Sequence, residues 1–216
     1  MCKYADDTYI IIPASNEMTR HAELTNVQKW AEQNNLKLNY SKSTEVIFTD
    51  NRRRQHHTAA AVEPTPIPGI ARSNFLKMLG IYIENNFSIA QHVQRLVAAS
   101  AQSVYAMRVR TCGLDDDALL YIFRATVVAR LTYTASTWRG LTKVPDRKRI
   151  DSVLDRARRH GYYSPDQPTF DELCNAADDE LFGKAMRLLN HVLHTLIPSQ
   201  TSASQKYNLR HRSHSL

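Results

Sequence analysis

Two aspartates stand side by side near the start of the chain, Asp6-Asp7, with Lys3-Tyr4-Ala5 before them and Thr8-Tyr9-Ile10-Ile11-Ile12 after them. The flanking pattern reads as a strand, a tight acidic turn and a second strand. Adjacent carboxylates on a hairpin turn suit a divalent cation, because the strands fix the turn while both side chains reach one site, and Mg2+ demands hard oxygen ligands of this kind. A metal pair about 3.5–4 Å apart, held by bridging carboxylates, stabilises the attacking and leaving oxygens of nucleotidyl transfer. Asp6 and Asp7 supply part of such a set. Read alone, the pair is also ordinary turn chemistry, since Asp side chains hydrogen-bond their own backbone in turns.

The second chemical signal is positive charge. The chain of 216 residues carries 28 Lys and Arg against 21 Asp and Glu, a formal charge of +7. Between Arg139 and His160 eight basic residues face three acidic ones, so this one segment supplies most of the excess. A concentrated positive face suits a polyanion through counterion release. A solvated helix surface is the alternative reading of the same residues. Cys2, Cys112 and Cys174 are odd in number and far apart, which gives neither a disulfide framework nor a zinc site and fits a reducing compartment. His191-x-x-His194 and His211-x-x-His214 have no partner pair at zinc-finger spacing.

Position comes from the elements around these residues. After Pro13, Ser15 or Asn16 caps an amphipathic helix of about five turns with Leu24, Val27, Trp30 and Ala31 on one face, ending near Asn34-Asn35. Leu36 to Asn39 and Glu45 to Phe48 are strand-like runs joined by Tyr40-Ser41-Lys42-Ser43. Residues 51–74, with Arg52-Arg53-Arg54 and prolines at 64, 66 and 68, read as an exposed excursion. Apolar character resumes from Phe75 to Ile83, where Gly80 marks a bend or close backbone approach.

From Ser88 onward the period is helical. Val93, Leu96, Val97, Val104 and Met107 line one helix that Gly113 should stop. Asp115 to Asp117 open a second helix reaching about Trp138. A third follows Pro145, with Ile150, Val153, Leu154 and Ala157 inward and Arg147, Lys148, Arg149, Arg156, Arg158 and Arg159 outward. Thr169 caps a further stretch through Leu196, broken around Ala177 to Asp179, and residues 199–216 form a basic tail expected to be disordered. No signal peptide opens the chain, and Arg124 and Arg130 interrupt its most apolar stretch. An intracellular protein, nuclear or cytoplasmic, without a membrane span is expected.

With these elements in order, the chain resembles the reverse transcriptases of non-LTR, long-interspersed retrotransposons of the Jockey-like kind, over nearly its whole length. Tyr4-Ala5-Asp6-Asp7 followed by Thr8 is similar to the family's polymerase motif C. The helix bearing Trp30-Ala31 and the run from Leu36 to Ser43 are similar to motif D, and Leu79-Gly80-Ile81 to the hairpin of motif E. His92 and Val93 after Phe87 resemble the start of the thumb, and Tyr207-Asn208-Leu209-Arg210 a string near the ends of such elements.

The resemblance implies an α+β fold: a partial polymerase palm of β-hairpins and one helix over residues 1–87, a helical thumb over 88–162, post-thumb helices over 163–198, and the tail. It implies RNA-directed DNA polymerase chemistry in the intact parent, with Mg2+ or Mn2+, an RNA template and a DNA primer. Asp6 then corresponds to the principal metal ligand and Asp7 to the second acid. Lys42 corresponds to a proton donor near the nucleotide's phosphates, or is a solvated turn lysine. Met78, Leu79 and Gly80 correspond to a grip on the primer's 3′ end, or are hairpin core.

The third catalytic carboxylate and the template-gripping motif of the family have no counterpart in these residues, so a fragment inactive by itself is expected. Its open palm strands are where self-association is expected. Two other functions stay open: a non-catalytic nucleic-acid-binding protein working through the basic helix, and a helical interaction protein.

Overall fold

The computed structural model describes residues 2–49, 64–110 and 113–197. Within them the order is β1 (Cys2–Tyr4), β2 (Asp7–Tyr9), α1 (Arg20–Gln33), β3 (Thr44–Glu45), β4 (Ala71–Arg72), β5 (Phe75–Met78), β6 (Ile81–Glu84), α2 (Ala90–Arg110), α3 (Asp116–Phe123), α4 (Ala129–Thr132), α5 (Ala135–Trp138), α6 (Val144–Arg159) and α7 (Phe170–Arg187). The fold class is α+β, as read from the sequence. The stretch 50–63, the tail 199–216 and its string Tyr207 to Arg210 lie outside the described residues.

Two compact units divide the chain, one formed by residues 1–95 and 141–146, the other by 96–140 and 147–216. The first holds all the described strands, as three separate two-stranded pieces: β1 with β2 antiparallel, β3 with β4 parallel, and β5 with β6 antiparallel. Its fully buried apolar residues among those described are few, Ala31, Ile81, Ile89 and Val93. Ionic and polar ties do much of the holding here. Glu45 receives Arg20 at 3.0 Å and Arg72 at 2.8 Å, with the three side chains only 11–24% exposed. Arg72 also donates to the Pro64 carbonyl at 2.7 Å and Arg20 to that of Thr65. One carboxylate thus joins the start of α1, the β3–β4 pair and the returning end of the excursion. Residues 64–74 are part of this construction and carry β4.

Helix α1 is shorter than its pattern suggested. Ala14–Thr19 winds as a tighter 3-10 helix, with non-helical backbone at Asn16, and neither Ser15 nor Asn16 caps α1. The helix ends where Asn35 takes a left-handed φ of 54° and the Leu36 amide returns to the Ala31 carbonyl at 2.8 Å. Trp30 is not inward: it is 42% exposed, with the Lys3 ammonium 4.1 Å from its ring centre. Leu36 to Asn39 forms no strand; Asn39 instead organises the next turn.

The second unit carries the larger core. Leu96, Val104 and Met107 of α2 are buried, and so are all four residues of α6 expected inward, Ile150, Val153, Leu154 and Ala157. Asp115 caps α3, accepting from the Ala118 amide at 2.8 Å. The helix expected to run to Trp138 is interrupted. It widens into a π turn over Arg124–Val128, and it breaks at Tyr133 and Thr134, where φ is 50°. The Trp138 indole N–H takes up the freed Tyr133 carbonyl at 3.0 Å. Arg130 does not point to solvent: it donates to the Ala99 carbonyl at 3.0 Å and the Ser103 hydroxyl at 2.9 Å, tying α4 to α2.

Helix α7 opens with a reciprocal capping box between Thr169 and Glu172. It runs unbroken through Ala177 to Asp179 and ends only at the extended Leu188. Among the described residues no helix is long and apolar enough to cross a membrane.

Candidate functional site

The acidic hairpin is as tight as a hairpin can be made. Tyr4 pairs with Asp7, leaving Ala5 and Asp6 as a two-residue loop. Ala5 takes a φ of 50°, a left-handed conformation that costs a non-glycine residue about 1 kcal/mol or more and is tolerated where the turn geometry is needed. Asp6 therefore sits at the apex and Asp7 at the first position of β2, both exposed. Tyr9, two residues on and so on the same strand face, lies 3.5 Å from the Asp7 carboxylate. Partial burial, then the Asp7 charge, pushes the Tyr9 phenol above its ordinary range.

Two hard carboxylates at neighbouring positions can contribute to a cation site. Among the described residues, however, no group of three or more His, Cys, Asp or Glu side chains stands at metal-holding distance. The residues described do not by themselves fit a metal pair.

Lys42 is presented by a different device. Asn39 receives the Lys42 amide on its side chain at 3.1 Å, and its carbonyl receives the Ser43 amide at 3.0 Å and the Ser43 hydroxyl at 2.8 Å. This Asx-type turn holds Lys42 exposed, two residues before β3 and its Glu45 anchor.

Met78, Leu79 and Gly80 belong to the β5–β6 hairpin. Met78 pairs with Ile81, so Leu79 and Gly80 are the whole loop, with φ of 47° and 88°. Positive φ at both positions is the I′ pattern that matches strand twist and favours Asn-Gly. Gly80 is thus a turn residue and not a bend within a strand. Leu79 holds a conformation branched apolar residues avoid, and it is 43% exposed at the tip. Met78 is half-buried. Asp6, Asp7, Lys42 and the Leu79-Gly80 loop fall in one unit but on three separate pieces of backbone.

The basic helix α6 is less uniform than its sequence. Lys148, Arg149, Arg156 and Arg159 are exposed and Arg147 is half-buried. Arg158 turns back onto the protein: it bonds Asp155 at 3.2 Å and the Gln167 carbonyl at 3.3 Å, and it lies 5.4 Å from the Tyr163 ring centre. Arg139, part of the same charge run, is taken up by α7, with Asn175 at 2.7 Å, Asp171 at 2.8 Å and Asp178 at 3.4 Å. Burial, then the nearby Asp171 and Asp155, raise the Asp151 carboxyl on α6 above its ordinary range. His191 and His194 make local contacts, to the Leu193 amide at 3.2 Å and the Ala185 carbonyl at 2.8 Å.

Sequence reasoning missed the residues that brace the site. Arg20, Glu45 and Arg72 are separated by 25 and 27 positions and give no local signal. The cross-strand pair Lys77 and Tyr82 was legible in principle, since a two-residue loop at Leu79-Gly80 fixes that register.

No protein-family profile matches the chain, and no solved structure matches it. Among curated proteins, a probable RNA-directed DNA polymerase from transposon X-element of Drosophila melanogaster is similar, 27% identical over 135 residues. The similarity covers 61% of this chain, which spans 14% of that protein's length. The chain is thus distantly similar, in part, to a transposon reverse transcriptase.

Proposed function

We propose that the chain is the part of a non-LTR, Jockey-like retrotransposon reverse transcriptase that runs from the metal-binding turn of the palm through the thumb. The observation that carries the reading is the Tyr4-Ala5-Asp6-Asp7 hairpin, with the second acid fixed at the strand start by its pairing with Tyr4 and the first at the apex. Behind it, in the order the resemblance requires, come a helix, a lysine turn, a two-residue hairpin and a helical unit. The partial similarity to a transposon polymerase supports the same assignment.

On this reading Asp6 and Asp7 contribute to binding Mg2+ or Mn2+ in the intact parent, where that metal supplies charge stabilisation for nucleotidyl transfer. Lys42 is a proton donor toward the leaving pyrophosphate. The tip formed by Met78, Leu79 and Gly80 presses on the 3′ end of a DNA primer paired with an RNA template. Lys148, Arg149, Arg156 and Arg159 meet phosphates, with Arg147 at their margin, while Arg158 serves the fold. Residues 1–87, 88–162 and 163–198 correspond to palm, thumb and post-thumb segments.

The chain by itself does not polymerise, because among the described residues it offers two carboxylates on a two-stranded hairpin whose outer edges are open. Those edges are also where copies associate. A primer-extension assay with Mg2+ or Mn2+ is expected to give no product from the purified chain, and template-directed synthesis abolished by Asp6→Asn would contradict this. A second reading, a non-catalytic nucleic-acid-binding protein, is favoured by the exposed α6 cations. It predicts salt-sensitive binding without primer-end preference, reduced when Arg156 and Arg159 are reversed in charge.

A further inference from the structure

The outer face of the β5–β6 hairpin carries a cationic arrangement that the roles above do not use. Phe75, Lys77 and Leu79 alternate outward along β5 and its loop, and Tyr82 lies across the pair from Lys77. The Lys77 ammonium is 5.7 Å from the Tyr82 ring centre, and the Arg95 guanidinium of α2 is 4.3 Å from the same ring. Phe75 abuts Tyr82 with ring centres 5.9 Å apart. Among the described residues neither cation is paired with a carboxylate. The nearest acid in register, Glu84 opposite Phe75, is directed to the start of α2, where it accepts the Gln91 amide at 3.2 Å.

A ring that holds two exposed cations orders them without neutralising them. An ion pair would also order them, but it would cancel the charge. Ordered and uncompensated positive charge is suited to an anionic ligand, because part of the side-chain entropy that binding must remove is already lost. Both charges rest on one ring, so phosphates of a single strand can meet both.

We propose that Lys77 and Arg95, seated on Tyr82, form a phosphate-backbone contact for a nucleic-acid strand, distinct from the Leu79-Gly80 tip and from α6. This rests on the proposed function only for the nucleic-acid identity of the ligand.

The test uses the full chain and a fluorescein-labelled oligo-dT strand, with affinity measured by anisotropy across a salt series. Each single-strand phosphate contact contributes about 0.7 to the slope of log K against log salt. Lys77→Gln with Arg95→Gln should therefore lower the slope by about 1.4, and Arg95→Lys should keep it. Tyr82→Leu retains both charges but frees them, so the slope should stand while affinity falls about 2- to 5-fold. Circular dichroism melts of each variant establish that the fold is intact.

A double variant that is folded and binds with the wild-type slope overturns the contact, as does a wild-type chain that does not bind. The polymerase reading is judged separately, by whether a primer's 3′ end cross-links to the hairpin tip. A lowered slope without such adducts would uphold this contact and sink that reading.

Discussion

Glu45→Gln is the perturbation whose consequence the structure fixes most closely. The Glu45 carboxylate receives Arg20 at 3.0 Å and Arg72 at 2.8 and 3.0 Å, and its own side chain is 11% exposed. Arg20 already has its buried Nε without a partner, so its charge depends on this carboxylate and on the Thr65 carbonyl. An amide keeps the shape and one acceptor but removes the counter-charge that two largely buried guanidinium groups share. Removing one partner of a buried pair costs about 3–5 kcal/mol, and the partial exposure here places the expected loss near the lower figure, about 3 kcal/mol.

For a unit of this size that corresponds to a fall in midpoint of roughly 12–24 °C. The assay is thermal or urea unfolding followed by hydrogen exchange, which should show the segment 44–45 and its partner 71–72 losing protection first. A triple replacement with Met at Arg20 and Arg72 and Leu at Glu45 removes the charges together and should cost far less than the single change. A Glu45→Gln chain within about 0.5 kcal/mol of wild type would refute the idea that this triad braces the turn bearing Lys42.

Three further outcomes follow from particular contacts. Leu79→Asn should stabilise the β5–β6 hairpin by up to about 1 kcal/mol, seen as slower exchange over residues 75–84, because Asn accepts the left-handed position that Leu79 strains to hold. Arg139→Ala should cost about 1–2 kcal/mol in urea unfolding, and a double-mutant cycle with Asn175→Ala should show positive coupling. Cys174, fully buried, has its thiol pushed up to about 11 from an ordinary value of 9.0, chiefly by desolvation. Between those values the unfolded chain has released the proton that the folded chain keeps. Stability should therefore fall as pH rises from about 9 to 11, and Cys174→Ser should flatten that dependence.

What was legible in the sequence is what repeats locally. The α6 positions Ile150, Val153, Leu154 and Ala157 announced their buried face through helical spacing, Thr169 announced its cap, and Asp115 to Asp117 announced the start of α3. The acidic hairpin was readable because strand alternation and turn chemistry both act over a few residues. What was not readable depends on distant partners. Arg139 looked like part of a surface charge run and Arg130 like an interruption of an apolar stretch, yet each is drawn inward by oxygens about thirty or more positions away. Trp30 fell on the apolar face of α1 by period, but Lys3 takes it at the surface instead. The break at Tyr133 had no glycine or proline to mark it. It depends on Thr134 adopting a left-handed backbone and on the Trp138 indole taking the freed carbonyl.

The central claim is that the hairpins of the first unit are polymerase parts that meet a primer terminus. It is tested most directly by photocross-linking an RNA–DNA hybrid whose primer carries 4-thiothymidine at its 3′ end, with adducts mapped by mass spectrometry. Adducts on residues 75–84 and on the Asp6-Asp7 hairpin, lost when the photoreactive base is moved to the 5′ end, are the predicted result. Adducts confined to α6 or α7, or independent of the position of the base, would contradict it.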